Sequence, residues 1–445
     1  MHSLQLLANL ITVKHGYAFK GEYFKNSGEQ IVLTPGNFHE EGGFRLRPGK
    51  EKFYAGPIPT DYVLNQGDLI VAMTEQGEGL LGSTAIIPES GKYLHNQRLG
   101  LIRPKEGVDL DLCFIYYLFN TEAVRQQIRA TASGAKVRHT SPSRIGEVKV
   151  AIPPLETQRR IASILSAYDD LIENNTRRIA ILEEMARRIY EEWFVHFRFP
   201  GHEQVKMVES ELGLIPGGWK IQPLGELLEH HIGGGWGQEN HSDDFPVAAY
   251  VIRGTDIPDA RSSNLGRSPL RFHKESNFRT RKLQPGDIVF EVSGGSKDQP
   301  VGRAVLLRSK LFASSDHPII CASFCRLVRA NKTAILPELL QLHFERIYES
   351  REIMKYQTQS TGITNFKFTV FTEKELVLVP PQDIQKQFQS FVDSLYGLAS
   401  TLGVKNANLR TTRDLLLPKL ISGELDVSNL PELARLTAPE EAIAA

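Results

Sequence analysis

The chain has 445 residues, more than one ordinary hydrophobic core can organise, so two or three domains are expected. Apolar residues make up 41% and charged residues 23%, a globular composition that excludes a disordered or fibrous chain. Lys and Arg together number 52, as do Asp and Glu, so a nucleic-acid partner would have to be met by local basic patches. No apolar run of about 18 residues is present, which argues against a transmembrane helix.

The cysteines are Cys113, Cys321 and Cys325. An odd and sparse count is typical of a reducing compartment, and the first residues lack the basic and apolar regions of a signal peptide. Cys321 and Cys325 have CxxxC spacing, but no second Cys pair or nearby His pair completes a zinc site. The sequence therefore predicts a cytoplasmic protein without a metal site.

Residues 1–150 alternate short strands with loops and contain one clear helix. A strand is predicted at 68–73, after a Gly-Asp turn, and another at 82–87. Periodic apolar residues predict a helix over 111–129. A polar loop and a short strand at 148–152 follow, and the strand runs into a Pro-Pro pair.

The next stretch, residues 155–199, contains no Gly or Pro and predicts one long helix. Steps of three and four residues predict a heptad seam for a partner helix at Ile161, Ile164, Tyr168, Leu171, Leu182, Met185 and Ile189. Asn175 and Arg178 are polar positions within this predicted seam. About 40 helical residues would span roughly 60 Å. An ordinary core helix is the alternative interpretation.

The second half of the chain repeats the order of the first. The Gly-Asp turn at 67–68 recurs at 286–287, and the strand at 148–154 recurs at 376–381. Each copy ends in a Pro-Pro pair followed by a long helix. This order predicts one duplicated unit, a mixed globular domain followed by a helix.

The second long helix is predicted from Asp383 to about Leu417, where Pro418 would end or kink it. Its predicted seam consists of Phe388, Phe391, Leu395, Leu398, Leu402, Leu409 and Leu416. Gly397 and Gly403 each cost roughly 1 kcal/mol relative to Ala, so this helix is expected to need a partner. Two similar helices predict antiparallel pairing within the chain, which would hold the two globular domains apart.

Motifs for catalysis are weak in this sequence. Residues 77–82 fit GxGxxG, but a β-branched segment and Pro88 follow them where a dinucleotide site needs a helix, so a tight turn is predicted. No GxxxxGK[ST], GxSxG or HExxH pattern occurs. Neither Pro-Pro pair has the flanking residues of a [DNS]PP[YFW] loop, and Glu147-Val148-Lys149 completes only part of a nuclease motif. The sequence predicts a non-catalytic binder.

Basic residues cluster at corresponding places in the two halves. The first cluster, in a segment without acidic residues, is Arg125, Arg129, Lys136, Arg138 and Arg144. The second, accompanied only by Glu275, is Arg267, Arg271, Lys274, Arg279, Arg281 and Lys282, and a later loop adds Asn365 and Lys367. Arg and Lys contact phosphates, and Arg and Asn also recognise base edges. The repetition predicts DNA binding, with a solvated surface as the alternative for each cluster.

The helical segments resemble conserved regions of type I restriction-modification specificity subunits. Residues 156–203 are similar to the central conserved region of that family, and residues 409–427 to its distal conserved region. The junctions PPLETQ and PPQDIQ and the segment 212–228, which resembles the entry to a second target-recognition domain, are also typical.

The resemblance implies an α+β chain with two mixed α/β target-recognition domains, over 1–152 and 201–379. Helical spacers over 153–200 and 380–425 would pair as an antiparallel coiled coil, giving an internal pseudo-two-fold repeat, and 426–445 would form a C-terminal tail. Each recognition domain would bind one half of a bipartite DNA target, and the helices would fix the gap between the halves.

The resemblance also implies partners. Two methyltransferase (modification) subunits would dock on the helices and supply the S-adenosylmethionine chemistry, and restriction subunits would add ATP- and Mg-dependent translocation. This chain would hold no cofactor. Two alternatives stay open: the target-recognition part of a fused DNA methyltransferase, and a coiled-coil scaffold that does not bind DNA.

Overall fold

The computed structural model describes residues 3–294, 299–360 and 363–430. The chain forms two compact units, one made of residues 1–171 and 409–445 and the other of residues 172–408. Each unit therefore contains part of both long helices. The predicted domain limits, which set the helices apart from the recognition domains, stay predictions, and residues 431–445 of the predicted tail lie outside the described residues.

The first unit consists of short strands followed by short helices and the start of a long helix. Its elements are β1 (Leu4–Leu6), β2 (Ile11–His15), β3 (Phe24–Lys25), β4 (Ile31–Val32), β5 (Phe53–Tyr54), β6 (Leu69–Ala72), β7 (Thr74–Glu75), β8 (Thr84–Ile86), β9 (Tyr93–Leu94), β10 (Leu99–Pro104), α1 (Leu112–Phe119), α2 (Glu122–Ala130), β11 (Arg138–His139), α3 (Pro142–Gly146), β12 (Lys149–Ala151) and α4 (Leu155–Tyr190).

The main sheet of this unit has four antiparallel strands in the order β2-β10-β6-β8. Strand β6 is buried on both faces because it reads Leu-Ile-Val-Ala without a polar residue. Side chains alternate between the two faces of a strand. Leu69 and Val71 accordingly pack with helices α1 and α3, whereas Ile70 and Ala72 pack with Phe38 and Tyr93 on the other face.

The second unit is also built of short strands, short helices and part of a long helix. Its elements are β13 (Met207–Ser210), β14 (Gly213–Pro216), β15 (Lys220–Pro223), β16 (Leu228–Gly233), β17 (Val247–Ile252), α5 (Ile257–Arg261), β18 (Leu270–His273), α6 (Glu275–Arg281), β19 (Asp287–Glu291), β20 (Ser293–Gly294), β21 (Ala304–Leu306), α7 (Ser309–Ala313), β22 (Ile319–Cys321), β23 (Cys325–Ala330), α8 (Pro337–Glu349), β24 (Gln357–Ser360), β25 (Ile363–Phe366), α9 (Phe368–Lys374), β26 (Leu376–Val379) and α10 (Gln382–Ser422).

The main sheet of the second unit repeats that of the first. Its strands are antiparallel in the order β16-β23-β19-β21, and a separate pair β15-β26 corresponds to the pair β1-β12. Within β19, Ile288 and Phe290 pack on one face and Val289 on the other. The predicted α+β class and the predicted duplication are confirmed.

The predicted strands lie where the structure has β6, β8 and β12, but the predicted helix over 111–129 is wrong as one element. It is divided into α1 and α2 at Asn120 and Thr121. The Thr121 hydroxyl donates to the Leu118 carbonyl at 2.7 Å, and the side-chain amide of Asn120 donates to the Tyr116 carbonyl at 2.9 Å. Short polar side chains that bond locally compete with helix continuation in this way.

The first turn of each long helix carries a buried glutamine in the same hydrogen-bonded setting. Gln158 donates to the Pro153 carbonyl at 2.9 Å and accepts from the Asp111 amide at 2.9 Å. Gln385 donates to the Pro380 carbonyl at 2.9 Å and accepts from the Leu336 amide at 3.0 Å. In both units the glutamine thus joins the Pro-Pro junction to the start of an earlier helix, which is a physical reason for the PPxxxQ pattern.

Helix α10 continues past Pro418 to Ser422, so of the two predicted effects of Pro418, an end or a kink, the structure contradicts the end. Proline removes one backbone donor from a helix, at a cost of about 3 kcal/mol. The turn beyond it places Leu420 in the core of the first unit, where this side chain is buried together with Ile161. This apolar burial offsets the cost of the proline.

Six of the nine predicted seam positions of α4 are buried or half-buried, namely Ile161, Ile164, Tyr168, Asn175, Leu182 and Ile189. The other three, Leu171, Arg178 and Met185, are exposed, and the next residue is buried in each case, namely Ile172, Ile179 and Ala186. Leu165, beside the half-buried Ile164, is also buried.

The seam of α10 differs from its prediction in the same way. Phe388, Leu395, Leu402, Leu409 and Leu416 are buried or half-buried, but Phe391 and Leu398 are exposed and Val392 and Ala399 take their places. Apolar residues stand next to each other at these positions, so both heptad patterns fit the sequence. Contacts within the folded chain decide between them.

The helices run antiparallel within each unit, as predicted. In the first unit, Arg160 donates to the Ser428 carbonyl at 2.6 Å and Asp169 forms an ion pair with Arg413. In the second, Ile179 packs with Ala399 and Leu402, and the rings of Trp193 and Phe388 lie 5.8 Å apart. Buried positions at alternating steps of three and four residues make this pairing a coiled coil.

Candidate nucleic-acid interface

In the first unit, four chain segments lie side by side at one end of the main sheet. The amide of Met73 donates to the Arg98 carbonyl at 3.0 Å, and the amide of Thr140 donates to the Met73 carbonyl at 2.9 Å. On the other side of Arg98, the amide of Gly16 donates to the Leu99 carbonyl at 3.2 Å. We call the segments around Gly16, Arg98, Met73 and Thr140 the row of the first unit.

The second unit contains an equivalent row. The amide of Val292 donates to the Phe324 carbonyl at 2.9 Å, and the amide of Phe366 donates to the Val292 carbonyl at 2.9 Å. The amide of Gly234 donates to the Cys325 carbonyl at 2.9 Å. Phe324 therefore corresponds to Arg98, and the row of the second unit consists of the segments around Gly234, Phe324, Val292 and Phe366.

A glycine is required at one position of each row. A Cβ atom on Gly16 would lie 2.0 Å from the Asn96 carbonyl oxygen, and one on Gly234 would lie 2.2 Å from the Ala322 carbonyl oxygen. No side chain fits at such distances, so the close approach of two backbone segments fixes both glycines. The same close backbone contact therefore occurs in the row of each unit.

A short polar pair stands beside each row. The Thr74 hydroxyl lies 3.2 Å from His139 Nδ1 between β7 and β11. At the corresponding place between β20 and β25, the Ser293 hydroxyl donates to Asn365 Oδ1 at 3.0 Å. The predicted DNA-binding residue Asn365 thus lies next to the row of the second unit.

The row of the second unit exposes an aromatic ring among polar and basic groups. Phe324 is 62% exposed, and it lines one groove together with Arg326, Asn365 and Lys367. The Arg326 guanidinium stacks on the Phe368 ring at 4.5 Å, and burial lowers its pKa. The groove therefore presents two cations, one side-chain amide and one exposed aromatic ring.

A second exposed aromatic residue lies on the glycine-rich segment of the same row. Trp236 is 41% exposed, and the Arg271 guanidinium stands 4.7 Å from its ring centre and 2.8 Å from Glu239. Arg281 donates to the Gly233 carbonyl at 2.9 Å, and this bond ties the glycine-rich segment to α6. Two predicted residues, Arg271 and Arg281, therefore support the glycine-rich segment.

The remaining predicted cations of the second unit lie at the surface, on or beside α6 and, for Arg267, in the segment before β18. The Lys274 ammonium stands 5.2 Å from the Phe245 ring, and that of Lys282 stands 5.9 Å from the Phe278 ring. Arg267 and Arg279 are exposed. Their side chains are accessible for phosphate contacts.

In the first unit, the predicted basic residues differ in how they are engaged. Lys136 is exposed. Arg138 lies 3.7 Å from Glu78, Arg129 forms an ion pair with Glu122, and Arg144 donates to the Ser133 hydroxyl at 2.9 Å. Exposed ion pairs of this kind are weak, so a phosphate can replace the carboxylate at Arg138.

Arg125 has a structural role that differs from the predicted DNA contact. Its side chain is buried and donates to the Glu40 carbonyl at 2.8 Å and to the Gly79 carbonyl. Burial lowers its pKa to about 10, which still leaves the guanidinium charged at neutral pH. The residue holds two loops together and does not face solvent.

The GxGxxG segment forms a turn, as predicted, and its amides are occupied. The backbone amides of Gly79, Leu80 and Leu81 donate to one carboxylate oxygen of Glu75 at 3.1, 3.1 and 2.9 Å. In a nucleotide site such backbone amides would bind a phosphate, but here they bind the Glu75 carboxylate. This turn supports the row of the first unit, where Glu75 follows Thr74 on β7.

Sequence analysis did not find Arg98, Phe324, Trp236 or Arg326. The available signal was the glycine that precedes each row, in the segments KHGYAF and IGGGWG. Across the described ranges, no group of three or more His, Cys, Asp or Glu side chains could hold a metal ion. Within those same ranges, no helix is both long and apolar enough to cross a membrane.

Comparisons with known proteins agree with the resemblance seen in the helical segments. The family model of the type I restriction modification DNA specificity domain matches residues 6–184. The MjaIX specificity subunit of Methanocaldococcus jannaschii is 28% identical over 341 residues, which cover 75% of this chain and 73% of that protein. The EcoKI specificity subunit of Escherichia coli is 23% identical over 387 residues, which cover 85% and 79% of the two chains.

The fold is also found among solved structures. The crystal structure of the S subunit of a type I restriction-modification system from M. genitalium has a TM-score of 0.54 and 15% sequence identity, and the match covers 95% of this chain and 96% of that one. This likeness shows the fold, and the sequence matches make the chain similar to specificity subunits of type I restriction-modification systems.

Proposed function

We propose that this chain is the DNA-specificity subunit of a type I restriction-modification complex. Each unit recognises one half of a bipartite double-stranded target through its row. The observation that carries the proposal is the pair of rows, in which the same backbone bonds present different side chains. A duplicated scaffold with different exposed residues is what recognition of two unlike half-sites requires.

The charges near the rows support contact with DNA. Lys136 and Arg138 lie close to the row of the first unit, and Lys367 and Asn365 lie close to that of the second. Cations contact phosphates and fix the position of a protein on the duplex, whereas amide and guanidinium groups also recognise bases. The overall charge balance is neutral, so local patches of this kind supply the attraction.

The exposed faces of the long helices support docking of two methyltransferase subunits. Leu171 and Met185 on α4, and Phe391 and Leu398 on α10, are apolar and exposed beside the buried seam. An exposed apolar stripe on a helix is typical of a surface that receives another helix. In this proposal the chain is non-catalytic, and S-adenosylmethionine, ATP and Mg²⁺ are bound by partner subunits.

The proposal is tested by mapping methylated bases in DNA treated with the chain and its methyltransferase partners. A bipartite recognition sequence with a fixed gap is expected. Deletion of seven residues from each long helix shortens each by about 10 Å, so the gap should shorten by about three base pairs. Insertion of one heptad in each helix should lengthen it. An unchanged gap in both variants contradicts the role of the helices as spacers.

The arginine substitutions Arg138→Ala and Arg279→Ala test the DNA contacts themselves. Each should weaken binding for all sequences alike and lower the dependence of binding on salt concentration, because one phosphate contact is lost. A variant with unchanged affinity and salt dependence identifies a residue that does not touch DNA. Binding of S-adenosylmethionine by the isolated chain would favour the alternative of a fused methyltransferase.

A further inference from the structure

Arg98 and Phe324 occupy equivalent backbone positions in the two rows, but one side chain is a cation and the other is apolar. We propose that they are the specificity-determining residues at this position of the two rows. Arg98 recognises a guanine in one half-site, and Phe324 contacts the methyl group of a thymine in the other. This inference rests on the proposed function and assigns one base contact to each unit.

Backbone pairing fixes the position of both residues. Each directly precedes the strand that pairs with neighbours on both sides, β10 between β2 and β6, and β23 between β16 and β19. The carbonyl of each accepts a backbone bond from the adjoining segment of its row. A side chain on such a backbone starts from a fixed point, which recognition of one base pair needs.

The surroundings of Phe324 fit a base contact better than a role in folding. Its ring is 62% exposed, so the core of the unit does not depend on it. Arg326, Asn365 and Lys367 line the same groove and provide groups that bind phosphates or base edges. An apolar side chain surrounded by such groups can lie against the thymine methyl group in the major groove while cations hold the backbone.

Arg98 differs from the other arginines near its row. Its backbone amide donates to Asn96 Oδ1 at 3.0 Å, which fixes the turn. Its guanidinium forms no hydrogen bond or ion pair with the residues that the structure describes, whereas Arg138 and Arg144 have partners. An arginine presented in this way suits the two acceptors that guanine offers in the major groove.

The test uses the full chain in complex with its methyltransferase subunits and a library of random DNA. Phe324→Ala should lower the preference for thymine at one base pair of one half-site about tenfold and leave the salt dependence of binding unchanged. Phe324→Leu, which keeps an apolar tip, should retain most of that preference. Arg98→Ala should relax a guanine preference in the other half-site by a similar factor.

Matched controls are available on the same units. Leu214→Ala removes an exposed apolar side chain (55% exposed) on the β13–β14 hairpin, and Lys105→Ala removes a cation that follows the opposite end of β10. Neither should change base preference. If Phe324→Ala and Arg98→Ala leave both half-sites unchanged, or weaken all sequences equally, the inference is overturned. Failure of the unaltered complex to bind DNA would instead overturn the proposed function.

Discussion

Asn175 on α4 donates a hydrogen bond of 2.9 Å to the side chain of Asn406 on α10. Asn406 is buried, and its own amide donates to the Ile172 carbonyl and the Thr176 hydroxyl, each at 3.2 Å. The polar position that interrupts the predicted seam of α4 therefore meets a polar position on the other helix. A buried amide pair in an otherwise apolar seam fixes the register in which two helices pair.

Replacement of Asn406 by leucine should destabilise the second unit by roughly 1–3 kcal/mol, because the Asn175 amide loses its partner inside the seam. The double variant Asn175→Leu, Asn406→Leu should recover much of that loss, since two apolar groups then meet. Urea denaturation followed by circular dichroism measures both. Equal destabilisation by the single and double variants would show that Asn175 and Asn406 contribute no interaction energy to each other. Asn175→Leu with assembly and gap intact would remove its role in register.

Gly234→Ala should disrupt the row of the second unit, because the new methyl group would meet the Ala322 carbonyl. Gly233→Ala is the matched control, since a Cβ atom there meets nothing within 4 Å. We expect the first variant to lose binding to one half-site and to lower the melting temperature, and the second to change neither. If the two variants had the same binding and melting temperature, the contact between Gly234 and the Ala322 carbonyl would not be the reason for this glycine.

Arg125→Ala should lower stability by about 2 kcal/mol without changing the salt dependence of DNA binding, because it leaves two loop carbonyls unpaired. Lys136→Ala should do the reverse, with unchanged stability and a salt slope reduced by about one. Titration of DNA binding at several salt concentrations, together with thermal denaturation, separates the two effects. A reduced salt slope in the arginine variant would restore Arg125 as a DNA contact.

His95 should make the first unit sensitive to acid. Burial lowers its pKa to about 4, and its Nε2 donates to the Leu99 carbonyl at 3.0 Å. The unfolded chain therefore takes up a proton on His95 between about pH 6.5 and 4, and the folded chain does not. Stability contributed by the neutral ring is present above pH 6.5 and falls as the pH drops, by about 2 kcal/mol at pH 5.

The variant His95→Gln keeps a donor and removes the titration. Its stability should fall less between pH 7 and 5 than that of the unaltered chain, as measured by urea denaturation at each pH. His241→Gln, at an exposed position, serves as the control and should follow the unaltered chain. Identical acid sensitivity in the His95 variant would show that other groups cause the effect.

The sequence was sufficient for the duplication and for the long helices, because both rest on patterns that local chemistry enforces. It was not sufficient for the seam, where Leu171 beside Ile172, and Leu398 beside Ala399, fit two heptad patterns equally well. It also assigned Arg125 to the surface, since a cation in a basic segment carries no sign that backbone carbonyls will surround it. Arg98 and Phe324 are isolated residues, and only the backbone bonds of the rows show that they correspond.

Gln158 and Gln385 have a consequence for how such a chain can evolve. All the side-chain hydrogen bonds of each glutamine reach residues earlier in the sequence, at a Pro-Pro junction and at or just before the start of a preceding helix. A genetic crossover placed just after either glutamine would keep every one of these bonds within one parental segment. New combinations of target halves can then arise by exchange of whole blocks without loss of these bonds. The contacts that the joined blocks must still match are those of helix residues beyond the glutamine, such as Ile161 and Leu165, which pack in the core of the first unit.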